Sequence, residues 1–186
     1  MDLAKNLQDL FVKLFKSLAP GRAAGGNRPY NKKMPMNVRR AILEDLPKLV
    51  HFTSEEAREA EGSVKIPETL EKGIRAALED SNIATYWVLV DDEDTPVGSI
   101  SAVREWSDWN AGYYWWIQSM YLIPECRGQA LMPRLMDAVL DEMKRQNGLE
   151  LRLYVHEENQ RAVRAYHKTG FKSSPYQIMV KKVSGL

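Results

Sequence analysis

The chain has 186 residues, 44% hydrophobic and 27% charged, so it can bury one sizeable domain and is too apolar for wholesale disorder. Its 26 basic and 25 acidic residues leave a net charge of +1, which removes the electrostatic footing for general nucleic-acid binding. No apolar run reaches the roughly 20 residues of a membrane span, and the single cysteine, Cys126, cannot close an internal disulfide.

Leu3, Leu7, Leu10, Phe11, Leu14, Phe15 and Leu18 draw one stripe on a helix stopped by Pro20-Gly21, so residues 1–19 read as an amphipathic helix. Charges interrupt this stretch, so it does not read as a secretory signal; with the lone cysteine, the expectation is a cytoplasmic protein. The stripe must be covered. It docks on its own domain, pairs with a second copy to form a homodimer, or lies on a membrane surface, and its few cations favour the first two. Residues 20–35 hold Gly, Pro, Asn and four basic residues with no acid, the composition of a linker. The main domain is assigned to 36–186.

Asn37 to Ala41 reads as a short strand. Leu43, Leu46, Leu49, Val50 and Phe52 recur at helical spacing over 43–60, with Pro47 suited to the first turn. A second helix runs from Pro67 through Leu70, Ile74 and Leu78 to Ser81-Asn82. Thr85–Val90 and Val97–Val103 are strands by their β-branched and aromatic content, joined by a polar turn over 91–96. Tyr113–Ile123 is almost unbroken apolar surface, as expected of a central strand covered on both faces. After the turn Pro124–Gln129 comes a helix with the inner stripe Leu131, Leu135, Met136, Val139, Leu140 and Met143, closed by Asn147-Gly148. Leu149–Val155 alternates as a strand, Asn159 caps a helix that ends at Gly170, and Gln177–Val183 supplies a last strand. The order β-α-α-β-β-β-α-β-α-β predicts a mixed α/β (α+β) single sheet with helices on its faces.

The chemistry concentrates where the strand over 113–123 feeds a helix. A helix N-terminus presents main-chain N–H groups without intrahelical partners, and its dipole adds positive potential, so the junction suits a phosphate. Arg127, Gly128 and Gln129 lie where those donors converge, and Gly128 permits close approach to the backbone. Most such turns bind nothing, and Arg127 on its own is equally a solvated surface residue.

Two stretches together say more. The run Leu122-Ile123-Pro124-Glu125-Cys126-Arg127-Gly128-Gln129-Ala130-Leu131-Met132 resembles the V-x-P-E-x-R-G-x-G-x-G/A segment of the GNAT superfamily of acyl-CoA-dependent N-acyltransferases. Asn159, Ala162, Tyr166, Gly170 and Phe171 stand at the spacing of that family's downstream strand, Asn and A-x-x-x-Y-x-x-x-G-F pattern. The resemblance covers about residues 36–183, and it implies acetyl-CoA as cosubstrate and an amine as acceptor. Ala130 and Met132 depart from the small residues the family prefers. Ala130, read as part of the helix, carries no backbone penalty there because helical φ is negative; Met132 must turn its side chain away from the pyrophosphate.

By this resemblance, main-chain N–H groups of Gly128, Gln129, Ala130, Leu131 and Met132, with Arg127 beside them, hold the pyrophosphate; Pro133 has no N–H to offer. Met120, Tyr121 and Leu122 flank the pantetheine, with main-chain groups of Met120 and Leu122 pairing with it like an added strand. Tyr166 matches the acid that protonates the departing thiolate, a phenol of pKa about 10 suiting a thiolate of similar basicity; a packed core aromatic is the competing reading. Asn159 either bonds the pantetheine or only caps its helix. The central strand carries no carboxylate to act as base, so Gln118 and Ser119 are the candidates there, as groups that orient a relaying water. Trp109 and Asp108, in a loop before the strand, are the candidates for touching the substrate. His51 and His167 have no metal-ligand spacing, and Cys126 has no His-Asp pair to make it a nucleophile, so no metal is assigned and direct transfer in a ternary complex is expected. A CoA-binding module without catalysis is the alternative, motivated by Met132 and the missing carboxylate.

Overall fold

The computed structural model describes residues 36–62, 64–155, 160–181 and 183. The amphipathic helix expected over 1–19, its linker and Asn159 lie outside the described residues. The elements are β1 (Asn37–Arg40), α1 (Leu46–Glu61), α2 (Pro67–Glu79), β2 (Thr85–Val90), β3 (Pro96–Ser107), β4 (Gly112–Leu122), α3 (Met132–Arg145), β5 (Glu150–Arg152) and α4 (Gln160–Lys168). They form one five-stranded mixed sheet in the order β1-β2-β3-β4-β5, antiparallel throughout except for the parallel pair β4–β5.

Alternation along the strands divides the core in two. Trp87, Leu89, Ile100, Met120 and Leu122 pack with Leu135 and Val139 of α3 on one face. Val88 and Val90 pack with Leu46 and Leu49 of α1 and Ile74 of α2 on the other. Pro47 sits in the first turn of α1, where its missing N–H costs nothing. Arg39 of β1 ties this end together, 2.7 Å from Asp45 before α1 and 2.8 Å from Asp94 in the β2–β3 turn.

Two expectations need correction. β3 runs to Ser107, beyond the expected end at Val103, because the polar residues Arg104–Ser107 pair with Gly112–Trp115 across the hairpin; pairing overrides side-chain propensity. The strand expected over Gln177–Val183 does not form among the residues described there, and Ile178, Met179 and Val180 are exposed. Apolar and β-branched residues favour extended backbone, but a strand needs a partner edge.

Candidate functional site

β5 is three residues long and pairs only with Tyr114, Trp115 and Trp116 of β4. β4 continues to Leu122, and among the described residues no strand pairs with that stretch on the side where β5 parts from it. An open main-chain edge of this kind accepts an extended ligand as it would another strand.

The parting coincides with a β-bulge. Ala102 pairs with Ile117 and Ser101 with Ser119, so Gln118 is the extra residue. One inserted residue flips the alternation. Trp115 and Ile117 before it, and Met120 and Leu122 after it, consequently all face the α3 side of the core. Ser119 and Tyr121 are thereby turned to the α1 side. Tyr121 stacks on Phe52 of α1 with ring centroids 5.4 Å apart, and Ser119 Oγ lies 2.8 Å from Ser101 Oγ. Gln118 itself is exposed.

Beyond Leu122 a short 3-10 turn, Pro124–Cys126, leads through Arg127 and Gly128 into α3. The main-chain N–H groups of Gly128 through Met132 make no backbone hydrogen bond among the described residues, so they stand available at the positive end of the helix. Gly128 has φ +74°, and a Cβ there would meet nothing within 4 Å. Ala130 has φ +56°. This corrects the helical φ expected for it: α3 starts at Met132, so Ala130 falls in the preceding turn, in a left-handed conformation that costs an L-residue about 1 kcal/mol. Met132 packs against the α3-side core, which turns its bulk away from the donors.

Arg127 is used differently from its expected place beside the pyrophosphate. Its Nε donates to Leu122 O at 2.9 Å and its Nη2 to Glu59 Oε1 at 2.9 Å, with the guanidinium 5.2 Å from the Tyr121 ring. Arg134 donates to Met36 O and is likewise turned from the turn.

The residues that sequence reasoning missed are on α1. Glu56 is 2% exposed, and its Oε1 accepts the Met120 N–H at 3.3 Å. Burial raises its pKa to about 8; the Met120 N–H lowers it and the nearby Glu59 raises it further. Met120 N–H is one of the groups assigned to the pantetheine, so pairing there requires the carboxylate to give way. Burial also raises the Tyr86 phenol, which bonds Ser101 in the same neighbourhood. A signal was present: Leu49, Phe52, Glu56 and Glu59 fall at helical spacing, so the two acids continue the buried stripe of α1.

Tyr166, on α4, is buried, with Phe171 edge-on at 5.4 Å. Burial pushes its phenol well above the usual value, so it stays protonated but is a weaker acid than the matched phenol expected from the sequence. Cys126 is buried and its thiol is pushed up to about 11 by burial, the opposite of an activated nucleophile. Trp109 is 87% exposed at the β3–β4 turn with Asp108 beside it. The bulge lies roughly 20 Å beyond Gly112 at the rise of a strand, so the fold does not bring these two residues to the fork.

A sheet that parts beside an amide-lined turn can seat a ligand with an anionic group on the turn and an extended arm along the strand. A model of the acetyltransferase (GNAT) family matches residues 47–171, and the chain belongs to that family. No protein of curated function matches it. A possible acetyltransferase from Clostridium difficile 630 is similar in structure, with TM-score 0.76 and 30% identity over 81% of this chain and 99% of that one. A predicted acetyltransferase with acetyl-CoA from Clostridium acetobutylicum aligns with TM-score 0.65 and 19% identity over 79% of this chain and 96% of that one. A ribosomal-protein-alanine N-acetyltransferase from Brucella melitensis aligns with TM-score 0.63 and 13% identity, over 80% of this chain and the whole of that one. At these identities the last two share the fold alone.

Proposed function

We propose that this protein moves the acetyl group of acetyl-CoA to a primary amine, on a small molecule or a protein, by direct transfer within a ternary complex. The observation that carries the reading is the open edge of β4, which runs from the bulge at Gln118 into the row of N–H donors from Gly128 to Met132. A diphosphate on those donors leaves its extended arm lying along the strand, with the thioester near the bulge. Acetyl-CoA is the family's acyl donor, and the Clostridium acetobutylicum relative carries it.

The amine nitrogen attacks the thioester carbon, the C–S bond breaks with its electrons on sulfur, and the Tyr166 phenol supplies the proton that sulfur takes. Gln118 and Ser119 at the bulge orient a water that relays the amine proton. Asn159 is assigned to the pantetheine by the family resemblance alone. Holding both reactants on one rigid edge supplies much of the rate. Residues 36–186 form the transferase domain in this reading, with the segment 1–35 appended.

Both motives for a CoA-binding module without catalysis weaken. Met132 packs inward, and a carboxylate stands at the fork on α1. The test is free-thiol release from acetyl-CoA with a broad panel of amines. Turnover is expected, slowed about 100-fold in Tyr166→Phe with acetyl-CoA affinity kept; a panel without turnover overturns the proposal.

A further inference from the structure

We infer that Glu56 is the base of this transfer, receiving from α1 the proton that the acceptor amine sheds as it attacks the thioester. The inference rests on the N-acetyl-transfer reading above and adds to it the group that the central strand lacks.

The geometry is specific. Met120 is two residues past the bulged Gln118, on the stretch of β4 that β5 leaves open. Glu56 Oε1 lies 3.3 Å from its N–H, so the carboxylate reaches the edge along which an acyl group would lie. The position is that of a core residue, flanked on the buried stripe by Leu49 and Phe52, and a carboxylate is costly there unless something uses it. Its single described hydrogen bond is to a main-chain N–H, which leaves further lone pairs free to accept a proton.

The groups that act on Glu56 are few. Glu59, one turn further along α1, raises its pKa, and Glu59 is itself held by Arg127 from the turn before α3. Tyr86 of β2 faces it, bonded to Ser101 of β3, and Ser119 of β4 continues that row of hydroxyls. A carboxylate poised near 8 is a far better match for an amine proton than an ordinary one. As the nitrogen–carbon bond forms, the nitrogen proton passes to Glu56 while sulfur takes the phenol proton of Tyr166; solvent then removes the one and restores the other.

The experiment follows thiol release from acetyl-CoA with benzylamine, spermidine, lysine and an alanine-terminated peptide as acceptors, across pH, for the full chain and Glu56→Gln. Glutamine keeps the volume and its amide oxygen can accept the Met120 N–H, so the variant is expected to fold and to keep acetyl-CoA affinity. Turnover is expected to fall about 100-fold or more. The acidic limb of kcat/KM is expected to lose one proton, the one the wild type shows near pH 8 beyond the amine's own titration. Wild-type turnover with Glu56→Gln within threefold and the limb unchanged overturns the inference and leaves the transferase reading intact. No wild-type turnover overturns both. If Glu56→Gln fails to fold, Glu56→Asp decides: a displaced limb with reduced turnover supports the base, and an unchanged limb overturns it.

Discussion

Arg127 Nη2 lies 2.9 Å from Glu59 Oε1, an ion pair that fastens the turn before α3 to α1 with side chains only 10% and 17% exposed. The same guanidinium bonds Leu122 O and lies over the Tyr121 ring, so one residue ties together the end of β4, the turn before α3 and the helix that carries Glu56. Glu59 Oε2 is buried without a hydrogen-bond partner among the described residues, which makes that carboxylate depend on Arg127.

Removing one side of so enclosed a pair strands the other. Arg127→Ala is expected to cost about 2–3 kcal/mol of unfolding free energy, below the range for full burial because both groups keep some water. Glu59→Gln should cost less. In urea denaturation, Arg127→Ala/Glu59→Gln should fall short of the summed single effects by more than about 0.5 kcal/mol; strict additivity would mean that the pair contributes nothing.

Glu56 makes stability depend on pH in a defined direction. Its pKa is about 8 folded against 4.5 as a free side chain, so the folded state binds its proton more tightly. This contribution is therefore fully present below the unfolded value and is lost as pH rises toward 8, with a slope of at most about 1.4 kcal/mol per pH unit. Denaturation from about pH 5 to about pH 9 should show wild-type stability falling relative to Glu56→Gln. Parallel curves would show that the carboxyl is not held protonated.

Ala130 at φ +56° predicts a stabilising substitution. Ala130→Gly relieves the left-handed strain and gives back part of that gain as unfolded-chain entropy, for a net of at most about 0.5 kcal/mol. Gly128→Ala, at φ +74° with open space around it, should destabilise by a similar amount without a clash. Thermal melts of the two variants should move in opposite directions.

Buried, and with its thiol pushed up to about 11, Cys126 should resist alkylation by iodoacetamide in the native protein near neutral pH and react once unfolded. Cys126→Ala should keep turnover while losing about 1 kcal/mol of stability to the space left behind. A covalent acyl-enzyme trapped on this residue would contradict direct transfer.

Much of the fold is legible in the sequence because its signals are local. The β2 range Thr85–Val90, the stripe of α3 and the proline in the first turn of α1 are each written within one stretch of chain. So is the turn between β4 and α3, since Gly128 and the helix behind it lie together in sequence. Ala130 was misread because the helix start, two residues later than expected, is a matter of backbone geometry that the residue letters alone do not carry.

The sequence by itself determined the order of the elements from β1 to α4, the amide-lined turn and the family, all of which depend on neighbouring residues. Only the tertiary structure decided where the sheet parts, which residue bulges and which acid meets the opening. Glu56 and Met120 are 64 positions apart, and nothing in either stretch alone specifies that they touch. Their contact exists because the bulge at Gln118 turns the strand and α1 packs across it, and such long-range packing has no period that a reading along the chain can detect.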